Sequence, residues 1–488
     1  MIATPKTTQE RISAALLIAV FVVCVYRAAT QSIVHDEALT YQIYLAGPVA
    51  NLFNYFDANH HFLNTVLMRV TTSLFGFSAL VMRIPALIGA ALLLTALYRF
   101  CRWMLGNGWI LPLALAAVSL NPFLMDFMVA ARGYGLALGL WMWALALLAP
   151  ELPAPEIGTA QHDRKNVAMA GAAAALSVTA NLVFAMPVLV LAGMVIWFSI
   201  ANRKPAAAPA KKRDAAKKPA PMWLDFLVPA VAIAIAFVLI APLENAQGGQ
   251  FYAGAATIAE SLRSMAEPSI DHSGPSAYQS FAAHLVDFFA FGFGPLVILA
   301  GAVTGLKLHS FALILTSIPA LGSAILLLAL HSIRDMPYPE NRTGIYFVAA
   351  VILTVVAFAS LPIGGVRIAS MTLLALMAIS FLVQFEPRMF WVWRYDAESS
   401  QMAAKVEEIA KTKQPLNVFN SWQLEPALNF YRETGHLSRL AQFTRPKIGP
   451  GYDVYVLTEQ DRGAVENYSL TISYKGPVSG TVIAVGAH

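Results

Sequence analysis

The sequence predicts a polytopic α-helical membrane protein with about eleven spans, followed by a small α/β domain. Hydrophobic residues make up 58% of its 488 positions and charged residues only 12%, whereas soluble proteins carry about 25% charged residues. The apolar residues form long runs, and the charges lie in the interruptions between them. From about residue 394 the charged fraction rises, and helix-like and strand-like patterns alternate.

Eleven apolar runs are candidates for crossing a bilayer. They are 12–29, 79–98, 109–124, 134–149, 167–182, 184–200, 223–241, 286–306, 311–330, 345–361 and 368–385. The first run has no clear small-residue cleavage site, so we interpret it as a retained span and not as a signal peptide. The run at 62–75 is short and contains Asn64 and Arg69, so we place it as a helix at the outer interface.

Basic residues orient this topology. With a cytoplasmic N-terminus, the turn at Arg99 and Arg102 and the basic linker 201–222 both lie on the cytoplasmic face, as the positive-inside rule requires. If 62–75 crossed the membrane, the linker would have to be translocated. The linker is rich in Ala, Pro and Lys, so we expect a disordered topology anchor and no binding of nucleic acid.

The same orientation gathers the polar residues of chemical interest on the outer face. They are His35, Asp36, Glu37, Asn59, His60, His61, Asp126, Arg132, Tyr134, Asn181, the loop 243–285 and the segment 331–342. Channels and transporters carry such groups at mid-membrane, so a one-sided set favours an enzyme that acts on a lipid-borne substrate. A polytopic transporter and a non-catalytic membrane scaffold remain as alternatives.

No cofactor is indicated. Cys24 and Cys101 lie in or at the end of apolar runs, and the adjacent His60 and His61 would point apart on a helix. A divalent metal is possible but not indicated.

The C-terminal pattern predicts helices at 399–411 and 425–434 and strands at 416–420, 452–457, 470–474 and 481–485. We expect docking or acceptor handling from this domain.

Several short motifs occur in a defined order between residues 12 and 200. They are Asp36-Glu37, Asn59-His60-His61-Phe62-Leu63, Leu74-Phe75-Gly76-Phe77-Ser78, Arg83-Ile84-Pro85-Ala86-Leu87, Asn121-Pro122 and Ala131-Arg132-Gly133-Tyr134. Together they resemble the C-type glycosyltransferase (GT-C) superfamily, in particular bacterial relatives of protein O-mannosyltransferases and of the aminoarabinose transferases that modify lipid A. The chain departs from these families at Asn59-His60-His61, where they usually carry a His-Pro-Pro-like or Lys-Pro-like element.

The resemblance implies a GT-C fold in the bacterial inner membrane. A transmembrane glycosyltransferase domain would cover 1–393, with an outer catalytic loop 31–78, the cytoplasmic linker 201–222 and the outer loop 243–285. A soluble periplasmic domain would cover 394–488. The implied activity is the transfer of a hexose or pentose from a polyprenyl-phosphate-linked donor to a lipid, glycan or protein acceptor, with inversion.

The resemblance also implies roles for single residues. Asp36 matches the catalytic acid of the family, and Glu37 would complete a catalytic pair, orient the site or hold the neighbouring helices. Burial and a second carboxylate are expected to raise the pKa of Asp36 towards the working range.

The remaining candidates would bind the donor. Arg132 and Arg342 are suited to its phosphate, Tyr134 would add a hydrogen bond, and His60 and His61 complete the substrate-binding set. Each has a simpler interpretation as well. Arg132, like Arg83, could be an interfacial anchor, Arg342 a residue that flanks a span, and the histidines structural or lipid-facing.

The topology gives the first testable prediction. A reporter fused after Lys218 should read cytoplasmic and one fused after His488 periplasmic, because the basic linker is retained inside. A fusion after Arg102, in the first cytoplasmic turn, is the internal control. Opposite readings at Lys218 and His488 would place the polar residues on the wrong side for an outer-face site.

Overall fold

The computed structural model describes residues 6–152, 162–201, 221–246, 254–270 and 276–486, which form twenty α-helices and one four-stranded sheet. The helices are α1 (Thr8–Thr30), α2 (His35–Thr40), α3 (Asn51–Asn54), α4 (Phe62–Phe75), α5 (Ala79–Leu105), α6 (Ile110–Ser119), α7 (Pro122–Phe127), α8 (Tyr134–Leu148), α9 (Arg164–Ala180), α10 (Ala185–Ala201), α11 (Met222–Ile240), α12 (Ile258–Ala266), α13 (Ser276–Asp287), α14 (Gly294–Leu308), α15 (Phe311–Arg334), α16 (Ile345–Ala359), α17 (Gly364–Val383), α18 (Ser399–Ala410), α19 (Glu425–Thr434) and α20 (Ala464–Asn467). Most of the predicted basic linker and parts of the outer loop 243–285 lie outside the described residues.

In this described part, nine helical segments are long and apolar enough to cross a membrane. They are α1, α5, α8 with its extension to Glu151, α10 from Leu182, α11, Tyr278–Leu308, α15, α16 from Asn341, and α17. Each coincides with one of the predicted runs. The chain is therefore a multi-pass helical membrane protein, as predicted.

The other two predicted runs form shorter helices. The run at 109–124 is interrupted because the Asn121 side chain accepts a hydrogen bond from the Leu124 N–H at 3.0 Å and Pro122 starts a new helix. Helix α6 thus has 10 residues, about 15 Å at 1.5 Å per residue. Helix α9 has 17 residues and is rich in alanine.

Helix α8 is the centre of the bundle, because 13 of its 15 residues are buried. It packs against α5 on one side and α9 on the other. Helix α9 in turn touches α11 so closely that a Cβ on Gly171 would lie 2.0 Å from the Phe226 carbonyl oxygen. The small side chains of α9 follow from this contact, since larger ones would push the two backbones apart.

The predicted helix at 62–75 is present as α4. Its far end carries Leu74 and Phe75, which are 69% and 67% exposed. Apolar side chains at such exposure suit a lipid-facing position, and the placement of α4 at the outer interface stays a prediction.

The C-terminal region contains the predicted small α/β structure. Its strands are β1 (Val418–Asn420), β2 (Val454–Leu457), β3 (Thr471–Lys475) and β4 (Val482–Val485), in the order β1-β2-β4-β3. Only β1 and β2 are parallel among these four. Residues alternate between faces along β2, so Val454 and Val456 pack with α18 and α19 while Tyr455 and Leu457 face a second cluster around Phe419.

Helix α19 joins this region to the outer ends of the spans. The Phe430 ring meets the Tyr41 ring edge to face at 5.0 Å, and Ala427 joins the same cluster. The Tyr431 hydroxyl accepts a hydrogen bond from the Ile33 N–H at 2.7 Å. The C-terminal region therefore covers the loop that carries the predicted catalytic residues. The division of the chain at 393/394 stays a prediction.

Candidate functional site

The predicted triplet His35-Asp36-Glu37 forms the first turn of α2. Val34, at the N-cap, has no side chain that can accept from the free backbone N–H groups, so carboxylates take this role. Glu37 Oε2 accepts from the Val34 N–H at 3.1 Å, and Asp396 Oδ2 accepts from the His35 N–H at 2.7 Å. The turn is thus capped by Glu37, which belongs to α2, and by Asp396 from the C-terminal region.

Glu37 forms a completely buried ion pair with Arg83. Arg83 Nε donates to Oε1 at 3.0 Å and Nη2 donates to Oε2 at 2.7 Å. The Ala131 N–H donates to the same Oε1 at 2.7 Å. Arg83 also donates to the carbonyl oxygens of Ala28, Gln31 and Ser32. Both oxygens of Glu37 therefore accept hydrogen bonds. Arg83 connects α5 to α2 and to the end of α1 in the protein interior, so it is not an interfacial anchor.

Asp36 points in a different direction, because consecutive residues of an α-helix are about 100° apart. Its Oδ2 lies 2.9 Å from Arg342 Nη2 and 3.6 Å from Arg132 Nε. The longer contact is an ion pair without a hydrogen bond. The structure thus brings together Asp36, Arg132 and Arg342, although Arg342 is 306 positions away in the chain.

The two arginines differ in their surroundings. The Arg132 side chain is only 2% exposed, which rules out the anchor interpretation, and its Nη2 donates to Asn59 Oδ1 at 2.5 Å. The Arg342 side chain is 26% exposed, and its guanidinium lies over the Trp393 ring at 5.2 Å. Arg342 is therefore the more accessible of the two cations.

The prediction that the pKa of Asp36 is raised is wrong. Burial raises the pKa of this carboxyl, but Arg132 and Arg342 lower it by more, so the pKa lies below its ordinary value. The second carboxylate, Glu37, has its charge paired with Arg83 and faces away. Asp36 is accordingly an anion at neutral pH, held between two cations.

Tyr134 follows directly after Arg132-Gly133. Gly133 has a φ of 73°, and a Cβ there would lie 2.5 Å from the Ala180 carbonyl oxygen and 2.9 Å from His61 Cβ. Only glycine meets both requirements. The Tyr134 ring is buried and meets the His61 ring at 5.3 Å. This links the arginine pair to the histidine pair.

His60 and His61 are both buried, 7% and 8% exposed. The His60 ring stacks on Tyr44 at 4.3 Å, and burial lowers its pKa to about 4. Burial also lowers the pKa of His61 well below its ordinary value, and Arg132 and Arg342 lower it further. Both imidazoles are therefore neutral at pH 7, and their lipid-facing alternative does not apply.

Sequence reasoning missed the segment that closes the site. Trp393 lies under Arg342, Asp396 caps α2, and Phe390 lies within 5.3 Å of the Arg27 guanidinium and 5.0 Å of that of Arg83. Nothing local to residues 385–396 marks them as partners of α1 and α2. Their only sequence signal is an unusual density of aromatic and charged residues directly after the last span.

Two other residues of the predicted outer set, Asp126 and His35, bind other parts of the chain. Asp126 accepts from Arg27 Nη2 at 2.6 Å and from the Trp391 N–H at 2.7 Å. His35 Nδ1 lies 2.6 Å from the Gln423 carbonyl oxygen. Since a carbonyl only accepts, this nitrogen carries the proton.

Within the described ranges, no group of three or more His, Cys, Asp or Glu residues lies close enough to hold a metal ion. No protein-family model and no curated protein matches the sequence.

Solved structures do resemble it. ArnT from Cupriavidus metallidurans bound to undecaprenyl phosphate aligns with 97% of this chain and 98% of its own, at 15% identity and a TM-score of 0.48. The apo oligosaccharyltransferase from Archaeoglobus fulgidus aligns with 85% of this chain and 63% of its own, at 14% identity and a TM-score of 0.43. The arabinofuranosyltransferase AftD from Mycobacteria aligns with 99% of this chain and 40% of its own, at 13% identity and a TM-score of 0.42.

The buried ion pair gives the second prediction. Glu37→Gln leaves the Arg83 charge buried without its partner, which should lower the free energy of unfolding by about 3–5 kcal/mol. The fall is measured as a lower midpoint of thermal unfolding in detergent.

Glu386→Gln is the matched control, because Glu386 pairs with an Arg388 side chain that is 66% exposed. Its effect should stay below about 1 kcal/mol. Equal shifts in the two variants would contradict the structural role of Glu37.

Proposed function

We propose that this protein is an integral membrane glycosyltransferase that takes a sugar from a polyprenyl-phosphate-linked donor at the outer face of the membrane. The observation that carries the proposal is the Asp36 carboxylate held by Arg132 and Arg342 at the outer ends of the spans. Two guanidinium groups that converge on one anionic oxygen form a site for an oxyanion, and phosphate is the oxyanion that arginine binds best in proteins.

Donor binding then exchanges one anion for another. A phosphate oxygen displaces Asp36 Oδ2 first from Arg342, because Arg342 is 26% exposed and Arg132 only 2%. Once phosphate shares the charge of the arginines, the pKa of Asp36 rises from its lowered value. The carboxylate thus becomes a better base when the donor is in place.

The reaction is a single displacement. The acceptor hydroxyl oxygen attacks the anomeric carbon, and the bond from that carbon to the phosphate oxygen breaks. The phosphate oxygen keeps the electron pair, and Arg132 and Arg342 stabilise its charge. The acceptor proton passes to Asp36. One displacement of this kind inverts the anomeric configuration.

Glu37 has a positioning role in this scheme. Its oxygens are occupied by Arg83 and two backbone N–H groups, so it holds α2 and touches no substrate. The C-terminal region, which we assign to a periplasmic domain at 394–488, fixes the same turn through Asp396. The transferred sugar is a hexose or pentose, and the acceptor is a lipid, glycan or protein.

The alternatives lack comparable support. A transporter needs ionisable groups at mid-membrane, and the middle third of each of the nine described spans contains no Asp, Glu, Lys or Arg. A scaffold would not require a carboxylate between two cations. Purified protein incubated with radiolabelled polyprenyl-phosphate sugars and membrane acceptors tests the proposal, and transfer from at least one donor is expected.

The third prediction concerns the base. Asp36→Asn keeps the shape and a hydrogen-bonding oxygen but removes the charge, so turnover should fall by about 10²–10⁴-fold. Donor affinity should not weaken, because the variant removes a competitor of the phosphate.

Asp335→Asn is the matched control. Asp335 is exposed and has a φ of 53°, a conformation that asparagine also adopts. Near wild-type turnover in Asp36→Asn would contradict the assignment of Asp36 as the general base.

The fourth prediction concerns the cations. Arg132→Ala and Arg342→Ala each remove a charge-assisted contact worth about 1.5–3 kcal/mol, so the donor KM should rise about 10- to 100-fold. Arg164→Ala, at a side chain that is 66% exposed and pairs with Asp225 away from the site, is the control. An unchanged donor KM and kcat in both site variants would return these arginines to a purely structural role.

A further inference from the structure

The cleft beside the two histidines has features that the arginine site does not use. It is lined by His60, His61 and Thr179 together with apolar residues, namely Phe56, Phe62, Leu182, Phe237, Ala241, Pro242 and Leu243. Its empty space, mouth included, is about 250 Å³.

Each of the two histidines that line this cleft has a buried nitrogen atom without a partner. Both Nε2 atoms, of His60 and of His61, are buried without a hydrogen bond to any residue that the structure describes. A buried polar group without a partner is unfavourable, because it has lost its hydrogen bonds to water. Such a pair therefore indicates that a hydrogen-bonding group from outside the described chain completes the site.

We propose that His60 and His61 bind a hydroxyl group of the donor's sugar, with the rest of the sugar in the mouth of the cleft. This inference rests on the proposed function and names the part of the donor that the histidines recognise. A sugar hydroxyl is a hydrogen-bonding group of about the size of water, so it is a suitable partner for the unpaired nitrogens of the two histidines that line the cleft. A neutral imidazole nitrogen either donates to or accepts from a hydroxyl.

The other parts of the donor fit less well. An isoprenoid chain has no polar atom and would leave both Nε2 atoms unpaired. A phosphate carries several charged oxygens and prefers cations, whereas both imidazoles are neutral at pH 7 because burial lowers their pKa. The aromatic walls suit the C–H faces of a sugar ring. His61 also touches Tyr134, so the cleft adjoins the arginine pair.

The fifth prediction separates these parts of the donor. His60→Phe and His61→Phe keep an aromatic ring but remove the imidazole nitrogens. In the absence of ligand, the midpoint of thermal unfolding of each variant should therefore not fall below that of the wild type. Their affinities are measured in nanodiscs for two kinds of ligand, undecaprenyl phosphate and a panel of undecaprenyl-phosphate hexoses and pentoses. Each variant should lose about tenfold in affinity for the sugar-bearing ligand and none for undecaprenyl phosphate.

A pH series provides an independent readout. Neutral histidines predict equal affinity for the sugar-bearing ligand at pH 7.5 and about 5.5, because the pKa of His60 is about 4. A phosphate contact through protonated histidine would strengthen as the pH falls. His284→Phe, at an exposed histidine, is the control and should change neither affinity.

Each other outcome overturns the inference in a distinct way. Equal losses for both ligands would make the histidines a phosphate contact, and no loss for either would make the cleft a structural feature or a water site. A wild-type protein that binds undecaprenyl phosphate but no sugar-bearing ligand contradicts the inference. A wild-type protein that binds neither ligand contradicts the proposed function itself.

Discussion

The ion pair between Glu37 and Arg83 is the interaction on which the rest of the candidate site depends. Both side chains are completely buried, and separating two charges in such surroundings is strongly unfavourable. The pair joins the end of α1, the first turn of α2, the start of α5 and the backbone at Ala131. Because Glu37 is held in this way, the orientation of its neighbour is determined as well.

That orientation gives two adjacent carboxylates different electrostatic surroundings. Glu37 meets one guanidinium and two backbone N–H groups, while Asp36 faces two guanidinium groups, one of which is partly exposed. A pair of carboxylates can thus divide support and chemistry between them, since burial and neighbouring charge act on each one separately. The lowered pKa of Asp36 follows from this arrangement, because two guanidinium groups outweigh the effect of burial.

The candidate site is built from parts of the chain that are far apart in the sequence. Residues from 385 to 396 lie against the C-terminal end of α1 and the first turn of α2, where Arg27 donates to the Met389 carbonyl oxygen at 2.8 Å and Asp396 caps α2. Helix α19 adds the Tyr431 hydrogen bond to Ile33. The C-terminal region is therefore one of the parts of the chain that orient the first turn of α2, together with the Glu37–Arg83 pair.

The sequence by itself determined the multi-pass helical class, most helix positions and the order of elements in the C-terminal region. Hydrophobic periodicity and turn residues are local signals, and helix α19 accordingly has the predicted bounds, Glu425–Thr434. It also singled out Asp36, Arg132 and Arg342, because charges at the mouths of apolar runs are rare and costly. The break at Asn121-Pro122 was a local signal too, but the apolar run around it concealed the end of α6.

Only the tertiary structure decided which charges face each other. Arg83 and Arg132 look alike in the sequence, yet one neutralises Glu37 and the other faces Asp36. The sign of the pKa shift at Asp36 and the contribution of Trp393 and Asp396 could not be predicted either. Pairing of this kind depends on distances between residues that are 46 to 306 positions apart in the chain, and local propensity carries no information about those distances.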